Sequence, residues 1–170
     1  MANYQRGDAA AAGELVDALS PQLFRFFLGQ VRNRELADDL LQDLWLRIHS
    51  ARHTYRESEP LLPWMYAIAR RVRIDQYRRN KNRANRELQM ERLPDAPVPD
   101  AEPAGNLDFE TLLAELPESQ REVLVMLKVS GLSVEEVARA TGCSAGSVKQ
   151  KAHRAYEKLR TLLKGSGHAV

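Results

Sequence analysis

The chain has 170 residues, enough for one medium domain or two small ones. Apolar residues at 44%, charged residues at 28% and aromatics at 6% suit a helix-rich protein with a core. No apolar run approaches the roughly 18–20 residues that cross a bilayer, the N-terminus shows no secretory pattern, and Cys143 is the single cysteine, so no intrachain disulfide can form. A reducing, cytoplasmic location is the expectation.

The net charge of +2 hides a partition. Residues 1–88 carry a net +4, residues 89–110 a net −5 and residues 111–170 a net +3. Two basic stretches joined by an acidic strap suggest a polyanion touched twice.

The first predicted helix runs from about Ala10 to Leu28, with Pro21 as a place for a bend. The second runs from about Arg34 to Ser50 with Asn33 as its cap. Its inner face is Leu36, Ala37, Leu40, Leu41, Leu44, Trp45 and Ile48, spaced by three and four. With that face buried, Glu35, Asp39, Gln42 and Leu46 point outward. Leu46 is then either an anchor for a partner helix or a stray leucine on a solvated face. A loop from Ala51 to Pro63 follows, broken by Pro60 and Pro63.

A third, long helix is predicted from near Pro63 into the eighties, with Trp64, Ile68 and Val72 as its buried stripe and Met65 and Ala69 beside them. Tyr66 stays open between core and base platform. Beyond it Arg70, Arg71, Arg73, Arg78, Arg79, Lys81, Arg83 and Arg86 face only Asp75. Such density repels itself unless phosphates neutralise it. A basic helix can also bind RNA or a membrane surface, but no broad apolar face continues beyond Val72.

The segment 94–105, rich in proline and acid, reads as an extended linker. A short helix from Leu107 to Leu116 comes next, and Pro117 opens another that ends at Gly131. Ser133 and Glu136 form a capping-box pattern for a short helix from Val134 to Ala140, and Gly142 stops it. Ser144 then caps a last helix ending near Leu163. Short helix, glycine turn and longer helix make a helix-turn-helix layout, whose second helix enters the major groove. Val148, Ala152, Ala155 and Leu159 fall on its inner face. Ser147, Gln150, His153 and Arg154, flanked by Lys149 and Lys151, lie on or beside the other, where they can reach phosphates and base edges. The plainer alternative is an amphipathic helix with a solvated basic face; the capped short helix and the turn weigh against it.

Three runs carry a specific resemblance: Leu116-Pro117-Glu118-Ser119-Gln120-Arg121-Glu122-Val123, Gly131-Leu132-Ser133-Val134-Glu135-Glu136-Val137-Ala138 and Gly142-Cys143-Ser144-Ala145-Gly146-Ser147-Val148-Lys149. Together they resemble the fourth conserved region of bacterial sigma factors, within the extracytoplasmic-function (ECF) group. The run from Ala37 to Arg47 resembles that family's polymerase-docking helix, and the run from Pro63 to Arg79 resembles the part that recognises and melts the −10 promoter element. Where the family often has asparagine after Ile-Ala-Arg, this chain has Arg71, which bears on its −10 preference.

The resemblance implies an all-α protein of two small helical domains, residues 1–88 and 107–170, joined by a flexible acidic linker over 89–106. It implies binding of core RNA polymerase, through the β′ clamp coiled coil by Glu35, Asp38, Asp39, Gln42, Asp43 and Leu46, and through the β flap. It implies contact with the −10 element by Arg70, Arg71, Arg73, Arg78 and Arg79, with a base pocket in the loop Arg52 to Leu62, near Tyr55. The −35 element would meet Ser144, Ser147, Lys149, Gln150, Lys151, His153 and Arg154. It also implies an anti-sigma partner, often membrane-anchored, and neither a cofactor nor a small-molecule substrate. An 18-residue linker extends to about 60 Å at most, roughly 17–18 base pairs of duplex at about 3.4 Å each.

Two other functions compete. A stand-alone helix-turn-helix regulator would need a dimer interface or sensor domain, and no sequence is spare for either. An enzyme would need a site: His49 and His53 could share a helix face, but no third metal ligand lies nearby. Cys143 has no paired base and is expected to pack in its turn as a small hydrophobe.

Overall fold

A computed structural model of the chain describes residues 1–90 and 109–166. The expected linker falls outside the described residues, except that positions 89 and 90 continue the long helix before it. Among the described residues there is no strand, and no helix is long and apolar enough to cross a membrane.

The first unit comprises α1 (Ala2–Gln5), α2 (Ala9–Val31), α3 (Arg34–Ala51), a single 3-10 turn (Arg52–Thr54) and α4 (Leu61–Met90). The second comprises α5 (Phe109–Ala114), α6 (Glu118–Lys128), α7 (Val134–Thr141) and α8 (Ala145–Ser166). α1 escaped the sequence reading because four residues carry no period. It is tied down by side chains: the Tyr4 hydroxyl lies 2.7 Å from His49 Nδ1, and Gln5 Nε2 donates to the carbonyls of Arg52 and Tyr55 at 2.6 and 2.8 Å.

Caps set the starts of α2 and α3. Asp8 accepts from the Ala11 amide at 3.1 Å, and Asn33 Oδ1 accepts from the Leu36 amide at 2.8 Å. Arg32, with φ at 54°, supplies the left-handed residue that ends α2. Pro21 sits within α2 without ending it. α4 begins at Leu61 rather than Pro63, so the proline occupies the first turn, where its missing N–H costs no helical hydrogen bond.

The core of this unit joins Leu23, Phe26 and Phe27 of α2 to Ala37, Leu40, Leu44 and Ile48 of α3 and to Met65, Tyr66, Ala69 and Val72 of α4. The stripe on α4 is therefore rotated from the expected one: Met65 and Tyr66 are fully buried, while Trp64 and Ile68 are only half-buried. Tyr66 is a core residue. Its ring stands edge-on to Phe26 at 5.2 Å, an arrangement that suits aromatic quadrupoles. Burial pushes its phenol above the ordinary range, and nearby Ser130 and Gln22 oppose the shift.

In the second unit, α5 ends at Ala114, short of the expected Leu116, and α6 ends at Lys128, three residues before the positive-φ Gly131. The residues from Glu122 to Met126 are all buried, so α6 is covered on every side. One side packs on α7 and α8. The other packs on α2 of the first unit, where Gly29 admits Val125. The buried cluster is consequently continuous between the two units.

Candidate nucleic-acid interface

α7 starts with the full capping box: Ser133 Oγ accepts from the Glu136 amide at 3.2 Å, and the Glu136 carboxylate accepts from the Ser133 amide at 2.8 Å. It ends on Gly142 at φ 68°, with the Cys143 amide donating to Ala138 O at 3.1 Å. Ser144 then caps α8 through the Ser147 amide at 3.1 Å. The Gly142, Cys143, Ser147 and Val148 amides all have partners around the turn, which helps fix the angle between the two helices locally. Val148, Ala152 and Ala155 are buried and Leu159 is half-buried. That orients Lys149, Gln150, His153 and Arg154 outward and exposed, with Ser144 exposed at the helix start and Ser147 half-buried.

Lys151 behaves differently. It is half-buried, and its Nζ lies 3.4 Å from Cys143 Sγ. Hydrogen bonding with the Thr141 side chain, then with Lys151, holds Cys143 below the usual thiol range. Half-buried Cys143 packs against the core in its turn, as expected of a small hydrophobe.

On α3, Glu35, Asp38, Asp39 and Gln42 are exposed, and Leu46 is 69% exposed among them. Asp43 is half-buried and engaged: its carboxylate meets Arg47 at 3.2 Å and Arg79 of α4 at 3.4 Å. Arg47 also reaches Asp75 of α4 at 2.6 Å, which holds that carboxyl below the usual range and raises the guanidinium.

The five arginines expected on α4 divide. Arg71 and Arg78 are exposed, and Arg79 is exposed but paired with Asp43. Arg70 and Arg73 face the second unit. Arg70 Nε lies 3.0 and 3.1 Å from the two carboxylate oxygens of Glu122. Arg73, 9% exposed at its side chain, lies 2.6 Å from Glu118 and 3.6 Å from Glu122. Sequence reasoning gave these glutamates no role. Their spacing of four places both on one face of α6, but nothing local says which helix that face meets. It also gave none to Tyr77, 59% exposed between Arg73 and Arg78. In the loop before α4, the Tyr55 hydroxyl donates to Glu59 O at 2.8 Å, and the Tyr55 ring lies 5.5 Å from Trp64.

His49 is held by Tyr4, and among the described residues no group of three or more His, Cys, Asp or Glu could hold a metal ion.

A helix-turn-helix whose second helix presents basic side chains outward, set beside a bundle whose long helix carries exposed arginines, is the architecture of a DNA-binding protein. Comparison with known proteins narrows the class. The sigma-70 region 2 family matches residues 15–83, and the sigma-70 region 4 family matches residues 106–159. RNA polymerase sigma factor CarQ of Myxococcus xanthus is 33% identical over 96% of this chain and 95% of its own. ECF RNA polymerase sigma factor SigF of Caulobacter vibrioides is 33% identical over 90% of this chain and 86% of its own. Among solved structures, the sigma factor RpoE in complex with the anti-sigma factor NepR, from Bartonella quintana, superposes with a TM-score of 0.72 at 25% identity, covering 89% of this chain and 96% of that one.

The chain belongs to the ECF group of the sigma-70 family. It is an RNA polymerase sigma factor, a transcription initiation factor rather than an enzyme.

Proposed function

We propose a division of labour among its surfaces. The exposed face of α3, with Leu46 as its apolar anchor and Glu35, Asp38, Asp39 and Gln42 around it, docks on the β′ clamp coiled coil; Asp43 orients that face from its edge. The second unit rests on the β flap. The outer face of α8 reads the −35 element as duplex, with Gln150 and Arg154 toward base edges and Ser144, Ser147, Lys149, Lys151 and His153 toward the backbone. The arginines of α4, namely Arg70, Arg71, Arg73, Arg78 and Arg79, hold the −10 strand while the loop before α4 captures an unstacked base. The protein works in the cytoplasm and is restrained by an anti-sigma protein; a structurally similar sigma factor has been solved with such a partner.

The observation that carries this reading is the outward face of α8, where Lys149, Gln150, His153 and Arg154 are all exposed behind a capped helix start. The experiment is a gel shift on promoter duplex, with and without core polymerase, using start sites mapped after overexpression. Specific binding and initiation that need both proteins are expected. Tight specific binding by the chain alone, unaltered by polymerase, would restore the stand-alone regulator.

A further inference from the structure

We propose that Gln5 of α1 is a positioning residue for −10 recognition: its side-chain amide holds in place the loop that captures an unstacked base. The proposal rests on the reading of that loop given above and deepens it.

The loop between α3 and α4 has no core of its own. His53, Thr54 and residues 56–60 are exposed, and no residue of the 3-10 turn is buried. Glu59 meets Arg139 of α7 at 3.6 Å, but both side chains are more than half exposed, so this pair holds the loop only weakly. An exposed segment of this kind samples many backbone arrangements unless its ends are tied. Here one end is tied from α1. Gln5 Nε2 donates to the carbonyls of Arg52 and Tyr55, the first residue of the 3-10 turn and the residue after its last. A primary amide carries two N–H groups, so one side chain spans the whole turn.

Tyr4 braces the same joint. It is 9% exposed, its hydroxyl lies 2.7 Å from His49 Nδ1, and the Arg52 guanidinium stands 6.0 Å from its ring centroid. Arg52 in turn donates from Nη1 to the His49 carbonyl. α1 is itself fixed to α2, because the Asp8 amide donates to Asn3 O at 3.1 Å while the Asp8 carboxylate caps α2. Tyr55 carries the constraint onward: its hydroxyl donates to Glu59 O, and its ring lies against Trp64 in the first turns of α4. The exposed residues Arg56, Glu57 and Ser58 lie within the span so closed.

Ordering a loop at the moment of binding subtracts from affinity, so a base taken from its stack is held best by groups already in place. Two hydrogen bonds of ordinary strength bias the loop between held and free arrangements by about tenfold, and apparent affinity for the −10 strand falls with the held fraction. None of these residues belongs to α8, so reading of the −35 element is independent of them.

The test uses the full chain with core polymerase on a promoter with a mapped start site. Initiation is read as a ratio, the native −10 element against the same promoter altered at single −10 positions. Gln5→Glu keeps the shape of the side chain, but a carboxylate has no N–H to give. It should lower that ratio about tenfold, with holoenzyme assembly and the corresponding −35 ratio unchanged. Gln5→Lys returns donors to the two carbonyls and should restore the −10 ratio, from which its added charge cancels. An unchanged −10 ratio in Gln5→Glu, or an equal fall in the −35 ratio, would overturn the proposal. A Gln5→Lys chain as poor as Gln5→Glu counts against donation as the cause. Should Gln5→Glu fail to fold, Gln5→Ala decides by the same ratio. The loop reading is checked apart, with Arg56→Ala/Glu57→Ala/Ser58→Ala. If that chain keeps the wild-type −10 ratio, the loop does not read −10 and the underlying assignment falls. If it loses the ratio while Gln5→Glu keeps it, only the positioning role falls.

Discussion

Gly29 of α2 and Val125 of α6 meet so closely that a methyl group on the glycine would stand 3.2 Å from a valine methyl that is itself completely buried. The absence of one side chain thus sets how near the two units approach. Gly29→Ala overfills the contact, at a cost of about 1 kcal/mol or more, because neither backbone can retreat without disturbing its own unit. Adding Val125→Ala should recover part of the loss. Calorimetric melting of the two single variants and the double variant checks this; additive losses would refute the shared contact.

Leu46→Asp should abolish co-purification with core polymerase while changing stability by less than about 0.5 kcal/mol, since the side chain is 69% exposed. Normal holoenzyme assembly by this variant would remove the α3 face from the docking surface.

Gln150→Ala and Arg154→Ala should each weaken initiation by about 1–3 kcal/mol per lost base contact. The loss should be confined to the −35 element. Promoters altered only at −35 should be transcribed equally by the wild type and these variants. A loss that persists in full on promoters altered at −35 would contradict the assignment.

Ser133→Ala removes one half of the α7 capping box and should cost about 1 kcal/mol. Because α7 packs on both α8 and α4, the loss should appear in global melting as well as in −35 binding. Unchanged melting would show that the cap is redundant.

The Asp75 carboxyl is held below its ordinary value of 3.8, chiefly by its hydrogen bond to Arg47. A depressed carboxylate stabilises the fold above its unfolded pKa, and that contribution is lost as pH falls through the lowered native value. The carboxylate is substantially exposed, so the effect should stay below about 1 kcal/mol. Asp75→Asn should remove it, flattening the acid limb of a stability-against-pH curve. An identical acid limb in wild type and variant would contradict the assignment.

Helix starts and stops were legible because their signals are local. Asn33, Ser133 and Ser144 each cap the helix expected of them, and Gly142 takes the left-handed conformation its position demands. The outward face of α8 followed from Val148, Ala152 and Ala155 by helical spacing alone. On α4, Val72, Met65 and Ala69 are buried as the spacing suggests, while Trp64 and Ile68 are half-buried at the edge and Tyr66 takes the centre against Phe26. The seam between the two units was illegible. Arg70 and Glu122 lie 52 positions apart, and Arg73 with Glu118 reads like any other pair of surface charges. Only the tertiary packing of α6 on α2 says that they meet.

Arg47 spans two helices with one guanidinium, touching Asp43 on its own and Asp75 on α4, while Asp43 also receives Arg79. α3, proposed to face the polymerase clamp, and α4, proposed to hold the open strand, are thereby tied together by one charged cluster. On the proposed division of labour, the offset between clamp and open strand is set inside the first unit, by the charged cluster that joins α3 to α4.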